Sequence, residues 1–209
     1  PRPTHTTSSA ASDVYKRPGD ERTALRGAFP DGNGIILISG TGMICLGRNH
    51  QGKEHRCGGW GWMLDGAGSA FDLGHQGLQL TLQMADGRRP DHPLRQKMWE
   101  QLGCRGHADV KAWVVQPSRT AADLAALAPL LVAAADAGLP AAQDILQRSA
   151  AALVSCAATV ARELALPQPA VAGLGGVLQH PGSVQRAVEV GIVAEIPGAR
   201  WAPAASDAC

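Results

Sequence analysis

Short apolar blocks separated by glycine-bearing turns dominate the first third of the chain. Apolar runs occupy 34–39 and 43–47, and a more polar run follows at 53–57. Runs of this length between turn residues predict strands, and connections this short join antiparallel neighbours. We therefore expect a three-stranded antiparallel meander in this part of the chain.

After the meander the apolar residues take helical spacing. The residues that share one helical face are Phe71, Gly74, Leu78 and Leu82. Thr120 and Asp123 have the spacing of a capping box. Pro129 interrupts the run that follows, and a longer helix opens at Pro140 and ends before Pro167. The middle of the chain is therefore predicted to be helical.

The last part of the chain returns to strands. The segment 170–176 is predicted to be a short buried strand that meets a glycine turn, a helix begins at about Ser183, and 199–203 has the pattern of a final strand. The polar, proline-bearing residues 1–12 are expected to form a disordered arm or a truncated end. The order of a meander, helices, a strand, a helix and a strand predicts an α/β domain.

Composition and charge narrow the function classes. With 209 residues, 45% of them hydrophobic, the chain is long enough to bury a substantial core. Its formal charge of +1 gives no electrostatic reason to expect nucleic acid or a membrane surface as a partner. The five cysteines are scattered, and His50, His55 and Cys57 lack the spacing of a standard metal site. We therefore expect reduced thiols, a cytoplasmic protein and no metal site.

The turn between the first two predicted strands consists of Gly40, Thr41 and Gly42. Glycines permit the positive φ values that let successive backbone N–H groups surround an anion, and the threonine hydroxyl adds a donor. The simpler interpretation is a hairpin turn that uses glycine for its geometry alone. These residues by themselves leave both interpretations open.

Two further stretches carry candidate chemistry. The glycine-rich loop around Trp60 suits neither a strand nor a helix, and an indole beside a flexible backbone is typical of a sugar site. A tryptophan that packs inside a tight loop explains the same pattern. Asp20 opens a short helical pattern, where it is either an N-cap or a carboxylate available as a general base.

Taken together, these stretches resemble a known family. The segments that carry the resemblance are GAFPDGNGIILISGTG, GRNHQGKEHRCGGWGWML, GSAF and, further along, VAGLGGVLQH. They are similar to the N-acetylglucosamine kinases and their relatives, the BadF/BadG/BcrA/BcrD ATPases, within the sugar kinase/actin-like ATPase superfamily. The resemblance implies an actin-like ATPase fold of the ribonuclease H type over 13–209, as the C-terminal lobe of a two-lobed kinase, with a helical insert at about 85–165.

The resemblance also implies a reaction, in which ATP with Mg²⁺ phosphorylates the C6 hydroxyl of an amino sugar, N-acetylglucosamine or glucosamine. Asp20 matches the catalytic base of the family. The residues that match nucleotide-binding positions are Gly40, Thr41, Gly42, Ala134, Gly175 and Gly176. The residues that match sugar-binding positions are Gly59, Trp60, Gly61 and Asp65. A small-molecule sugar is thus the expected partner, and a homodimer is allowed.

The chain departs from the family pattern at several positions. Met43 stands where a serine usually follows the glycine turn. Asp65 lies one residue before the usual carboxylate, whose place Gly66 takes, and Ala67 replaces an acidic residue. The family's first phosphate loop, an aspartate-glycine turn, does not occur in the sequence. These departures leave open the acceptor sugar and the activity of this chain by itself.

Two alternatives to a kinase stay open on the sequence. One is an ATPase on the same fold that activates a dehydratase or reductase, a class that needs clustered cysteines to hold an iron–sulfur cluster between subunits. Cys45 and Cys57 are candidates for approach across the meander. The other is a non-catalytic remnant of the kinase, which the missing phosphate loop and Gly66 suggest.

Overall fold

The computed structural model describes residues 20–179 and 181–202, so the arm predicted at 1–12 lies outside the described residues. The described residues form five strands and eight helices. In chain order the elements are α1 (Asp20–Ala28), β1 (Gly34–Ser39), β2 (Met43–Arg48), β3 (Glu54–Cys57), α2 (Ala70–Ala85), α3 (Pro93–Gln101), α4 (His107–Val114), α5 (Ala121–Ala125), α6 (Ala128–Asp136), α7 (Pro140–Glu163), β4 (Ala170–Leu174), α8 (Ser183–Glu195) and β5 (Arg200–Ala202).

All five strands belong to one mixed sheet in the order β3-β2-β1-β4-β5. β2 pairs antiparallel with β1 and with β3, which confirms the predicted meander. β4 runs parallel to both β1 and β5, with Ile38 of β1 opposite Leu174 of β4. Because β1 and β4 are parallel neighbours, their carboxyl ends meet at the same edge of the sheet, where ligands of α/β proteins commonly bind.

The two faces of the sheet are covered unequally by the described residues. Ile35 and Leu37 of β1 join a large core with α2, α7 and α8, whereas Ile36 joins a small cluster with Leu25 of α1 and Leu46 of β2. Because successive strand residues point to opposite faces, α1 lies on one face and the other helices on the opposite one. We call these the minor face and the major face.

The helical predictions are confirmed in outline. The capping box exists, because the Thr120 N–H donates to the Asp123 carboxylate at 2.7 Å at the start of α5. Pro140 lies in the first turn of α7, as the pattern predicts. Pro129, however, does not interrupt a helix: the break precedes it, and Pro129 occupies the first turn of α6, where its missing N–H costs nothing.

Within the described residues no single helix has the length and hydropathy of a membrane span. Ala121–Asp136 and Pro140–Glu163 reach those limits only when they are counted together, across a bend of 117°.

Helices α2 and α5 approach closely at Gly74. A Cβ at this position would overlap the carbonyl oxygen of Leu124, which is backbone and moves only with its helix. We expect Gly74→Ala to lower the free energy of unfolding by about 1–3 kcal/mol, the usual range for overpacking a tight contact. Urea denaturation followed by circular dichroism measures the change.

Gly77, on the same helix, provides the matched control. A Cβ at Gly77 would meet the terminal methyl group of Met98 at 2.6 Å, and a methionine side chain adapts more easily than a backbone carbonyl group. Gly77→Ala should therefore cost less stability than Gly74→Ala. Equal losses in the two variants would contradict the role of the Leu124 carbonyl group.

Candidate active site

The turn of Gly40, Thr41 and Gly42, here called the GTG turn, leads from β1 to β2 at the carboxyl edge of the sheet. Thr41 and Gly42 are exposed, and no atom outside their chain neighbours lies within 4 Å of a Cβ built at Gly40 or Gly42. The described part of the protein therefore leaves the GTG turn open to a ligand.

The backbone of the GTG turn differs from the predicted one. Neither Gly40 nor Gly42 has a positive φ, and the Gly40 N–H donates to the Gly42 carbonyl oxygen at 2.9 Å, so it is not available to an anion. The prediction of a nest built on positive φ is wrong in this respect. Glycine instead keeps the turn free of side chains, and the remaining donors are the N–H groups of Thr41 and Gly42 and the Thr41 hydroxyl.

The GTG turn is fastened to the beginning of α2. The N–H groups of Ala70 and Phe71 donate to the carbonyl oxygens of Gly40 and Thr41, at 2.8 and 3.4 Å. Ser69 caps the helix, and its side chain accepts a hydrogen bond from the Asp72 N–H at 3.2 Å. The first three N–H groups of α2 are therefore satisfied by the GTG turn and by Ser69, and these bonds fix the turn against the helix.

A second glycine turn, 175–177, packs directly against the GTG turn. Gly175 has a φ of +82°, and a Cβ there would overlap the Ser39 carbonyl oxygen and lie 3.0 Å from the Gly40 nitrogen. The Val177 N–H donates to the same Ser39 oxygen at 3.1 Å. The sequence predicted two separate nucleotide-binding turns, and the structure brings them into contact.

The loop after β3, residues 58–68, begins beside the GTG turn, and we call it the indole loop. Its glycines Gly58, Gly59 and Gly61 have φ values of +78°, +77° and +93°, so the positive φ that the sequence predicted for the GTG turn occurs here instead. A Cβ at Gly58 would lie 2.7 Å from the sulfur of Met43 and 3.2 Å from the Asp65 carboxylate. Asp65 therefore lies near the residue that follows the GTG turn.

The last residue of the indole loop, Gly68, lies beside the end of β1, where the GTG turn begins. The buried Ser39 hydroxyl donates to the Gly68 carbonyl oxygen at 2.7 Å. The Asp72 carboxylate accepts hydrogen bonds from the Gly68 N–H at 3.0 Å and from the Ser149 hydroxyl at 3.2 Å. Sequence reasoning missed Ser39 and Asp72, although the spacing of Ser69 and Asp72 at the start of a helical pattern is a signal for such a cap.

Trp60 lies on the open side of the indole loop and is 70% exposed. The Arg56 guanidinium lies 5.7 Å from the centroid of its ring and also donates to the Gly59 carbonyl oxygen at 2.7 Å. Arg56 alternates with Cys57, which packs on the major face, so Arg56 points to the minor face. The indole is thus an exposed apolar surface that a cation holds in place from one side.

Asp20 and Ala134 are the two predicted site residues that lie on helices. Asp20 is exposed in the first turn of α1, on the minor face that Arg56 also faces. Ala134 is 7% exposed and belongs to the large core on the major face, so little of its surface is left for a ligand. The nucleotide contact proposed for Ala134 stays a prediction.

Three thiols meet beneath the start of the indole loop. Cys45 lies directly opposite Cys57 in the β2–β3 register. Burial, followed by the neighbouring Cys57 thiol, raises the pKa of Cys156 to about 12, and burial raises the pKa of Cys45 well above its usual range. In the described ranges, no group of three or more His, Cys, Asp or Glu side chains is arranged to hold a metal ion.

The sheet order and the two glycine turns are those of an ATPase of the actin-like type. The chain belongs to the BadF/BadG/BcrA/BcrD ATPase family, which it matches over residues 17–206. This confirms the family that the sequence motifs indicate.

Two curated relatives are sugar kinases. The chain is 30% identical over 163 residues to an N-acetylmuramic acid/N-acetylglucosamine kinase of Clostridium acetobutylicum, a match that covers 77% of this chain and 53% of that enzyme. It is 30% identical over 170 residues to an N-acetyl-D-glucosamine kinase of Dictyostelium discoideum, with 79% and 53% covered. The chain thus spans about half the length of the curated relatives it matches.

Solved structures agree on the fold. A proposed N-acetylglucosamine kinase from Chromobacterium violaceum superposes with a TM-score of 0.71 at 28% identity, over 90% of this chain and 61% of that one. A second such protein, from Porphyromonas gingivalis, gives a TM-score of 0.66 at 20% identity, over 87% and 60% of the two chains. The latter similarity concerns the fold alone.

Proposed function

We propose that this protein is part of a kinase that transfers the γ-phosphoryl group of ATP to the C6 hydroxyl of N-acetylglucosamine or glucosamine. The observation that carries the proposal is the convergence of the GTG turn, the second glycine turn and the indole loop at one edge of the sheet. The similarity to enzymes that act on N-acetylglucosamine favours an amino sugar as the acceptor.

In this proposal the two glycine turns hold the nucleotide. The N–H groups of Thr41 and Gly42, for which the described residues provide no acceptor, and the Thr41 hydroxyl donate to phosphate oxygens. Gly175 keeps the second turn tight against the first, and the open space at Gly176 lets the nucleotide approach the backbone. Such positioning matters because phosphoryl transfer depends mainly on orientation and charge stabilisation.

The sugar lies against the indole loop in this proposal. The exposed face of Trp60 packs on the C–H groups of the sugar ring, and the Asp65 carboxylate accepts hydrogen bonds from its hydroxyl groups. Asp20 removes the proton of the C6 hydroxyl as that oxygen attacks the γ-phosphorus, and ADP leaves. The assignment of Asp20 rests on its exposure, its position on the minor face and the match to the family motif.

Mg²⁺ enters the proposal as part of the substrate, MgATP. The described residues offer no group of three ligands that would hold the ion by themselves. Mg²⁺ in kinases is usually held by one or two carboxylates together with phosphate oxygens and water, so a protein cage is not required. The ion neutralises phosphate charge when it is bound, and we assign no residue of this chain to it.

The positions of the cysteine thiols give little support to the alternative function, that of an ATPase which activates another enzyme. Cys45 does lie opposite Cys57, as the sequence suggested, but it is completely buried on the major face. A cluster shared between subunits needs cysteines that reach the surface, and Cys45 does not reach it. The thiol arrangement therefore counts against that alternative.

The first test is an assay of phosphoryl transfer with MgATP and a panel of hexosamines, with the product examined by phosphorus NMR. We expect phosphate on O6 of N-acetylglucosamine or glucosamine. Phosphate on another oxygen would remove the C6 assignment. ATP hydrolysis that no sugar accelerates would favour the activating ATPase.

A second test places a negative charge in the GTG turn. A side chain at position 42 meets no described atom, and φ there is not positive, so Gly42→Asp should fold normally. Because the new carboxylate would face the phosphates, we expect the KM for ATP to rise at least about tenfold. Gly42→Ala is the control for the side chain without the charge, and an equal rise in both variants would contradict the electrostatic explanation.

A further inference from the structure

Helix α7 runs along the major face of β2 in a fixed register. A Cβ at Gly47 of β2 would lie 2.5 Å from Val160 of α7 and 3.0 Å from Leu164, which caps the end of that helix. Cys45 lies two residues before Gly47 on β2, a displacement of about 7 Å along the strand. Cys156 lies four residues before Val160 on α7, a displacement of about 6 Å along the helix. The backbone register therefore places Cys156 beneath Cys45.

Cys57 completes the group from the neighbouring strand. It lies opposite Cys45 in the ladder and packs on the same core as Cys156. Cys57 and Cys156 are both half-buried, whereas Cys45 is completely buried. Asp65 of the indole loop lies near this pair, because its carboxylate would be 3.2 Å from a Cβ at Gly58, the residue that follows Cys57.

We propose that Cys57 and Cys156 form a reversible disulfide that restrains the indole loop. Cys57 is the last residue of β3, and the loop begins at the next residue. A bond to α7 would tie the start of the loop to the largest helix of the core. Cys45 stays outside the bond, because no oxidant reaches a completely buried sulfur.

The reaction balances with a peroxide as the oxidant. The Cys57 thiolate attacks one oxygen of hydrogen peroxide, the O–O bond breaks, and water leaves after protonation, which gives a sulfenic acid. The Cys156 sulfur then attacks the Cys57 sulfur, the S–O bond breaks, and a second water leaves with the Cys156 proton. In sum, two thiols and one peroxide give a disulfide and two waters, and a dithiol reverses the reaction by exchange.

The environment of Cys156 sets the rate of the second step. Burial and the neighbouring Cys57 thiol hold the pKa of Cys156 high, at about 12, and the Asp65 carboxylate acts in the same direction. Because the thiolate is the reactive form, the disulfide should form slowly at neutral pH and faster as the pH rises. Among the described residues, the titratable groups that act on Cys156 are Cys57 and Asp65, and Cys156 acts in turn on the buried Cys45.

Formation of the bond has a mechanical consequence for the loop. A disulfide holds its two sulfurs about 2 Å apart, so the last residue of β3 would be tied covalently to α7. The indole loop begins at the next residue, and its glycines Gly58, Gly59 and Gly61 have positive φ. The bond restrains the first residues of the segment that carries Trp60, and under the proposed kinase function the KM for the sugar should rise by about tenfold or more.

Peptide mapping without reduction tests the bond directly. After treatment with hydrogen peroxide and alkylation, we expect a linked pair of peptides that contains Cys57 and Cys156 and disappears with dithiothreitol. Cys156→Ser should abolish the pair. Cys104→Ser, a change at a cysteine outside this group, should leave it intact. A link between Cys45 and Cys57, or no link at all, would overturn the proposal.

Hydrogen exchange tests the restraint without any use of catalysis. We expect the amides of 58–68 to exchange several-fold more slowly in the oxidised protein than in the reduced one, and the difference to vanish in Cys156→Ser. A linked protein with unchanged exchange would refute the restraint. A linked and restrained protein that phosphorylates no sugar would refute the proposed function and leave the disulfide standing.

Discussion

Asp20→Asn should lower kcat for sugar phosphorylation by about 100-fold or more, because the asparagine cannot take the proton from the attacking hydroxyl. The expected change in ATP affinity is small, since asparagine keeps the size of the side chain and Asp20 is assigned to the sugar hydroxyl and not to the nucleotide. Within the described residues no hydrogen bond or ion pair holds this carboxylate, so folding should be little affected. Steady-state kinetics and thermal unfolding of the same preparation measure both effects.

Glu21→Gln is the matched control, because it removes the same charge one residue along the same first turn of α1. The interaction of either carboxylate with the helix dipole is worth about 0.3–1 kcal/mol, so both variants should lose a similar, small amount of stability. Only Asp20→Asn should lose activity. If Asp20→Asn instead lost stability in proportion to its activity, Asp20 would be a helix cap and not the base.

Gly175→Ala should disrupt the contact between the two glycine turns. Alanine at a φ of +82° costs about 1 kcal/mol or more, and the added Cβ would also overlap the Ser39 carbonyl oxygen. We expect a loss of about 2–4 kcal/mol of unfolding free energy in total. Because the second turn must move away from the first, ATP binding should weaken at least about tenfold, as isothermal titration calorimetry would measure.

Gly176→Ala is the control for Gly175→Ala, because it adds the same methyl group to the turn at a residue whose φ is not positive. Gly176 has no positive φ, and no atom lies within 4 Å of a Cβ there, so this neighbouring variant should keep the stability of the original protein. A loss of stability at Gly176 as large as that at Gly175 would show that the turn tolerates no side chain. The contact with Ser39 would then not be the cause.

The helices and strands could be predicted from the sequence because the signals for them lie within a few neighbouring residues. The apolar runs of β1 and β2, the capping box at Thr120 and the proline at the start of α7 are each signals that lie within a few residues. The resemblance to a family added the fold, and the family match confirms it. The strand order was not predicted, because the pairing of β1 with β4 joins the first third of the chain to the last third.

Features of the site that depend on distant residues could not be read in the same way. The Gly40 N–H donates to the Gly42 carbonyl oxygen, and the glycines with positive φ lie in the indole loop instead of the GTG turn. The backbone conformation of each turn depends on the positions of the elements that the turn connects. The bond from Ser39 to Gly68 spans 29 positions, and a pattern along the chain carries no trace of it. The meeting of Cys57 with Cys156 likewise depends on how α7 lies across β2.

The unequal cover of the two faces has a consequence for motion. Leu25 and Ala28 are the buried residues of α1, and an exposed ion pair between Arg22 and Glu54, at 2.7 Å, joins this helix to β3. Detaching so little apolar surface costs far less than melting the main core. We therefore expect α1 to separate from the sheet more easily than the helices of the main core, and its amide protons to be among the first to exchange with deuterium.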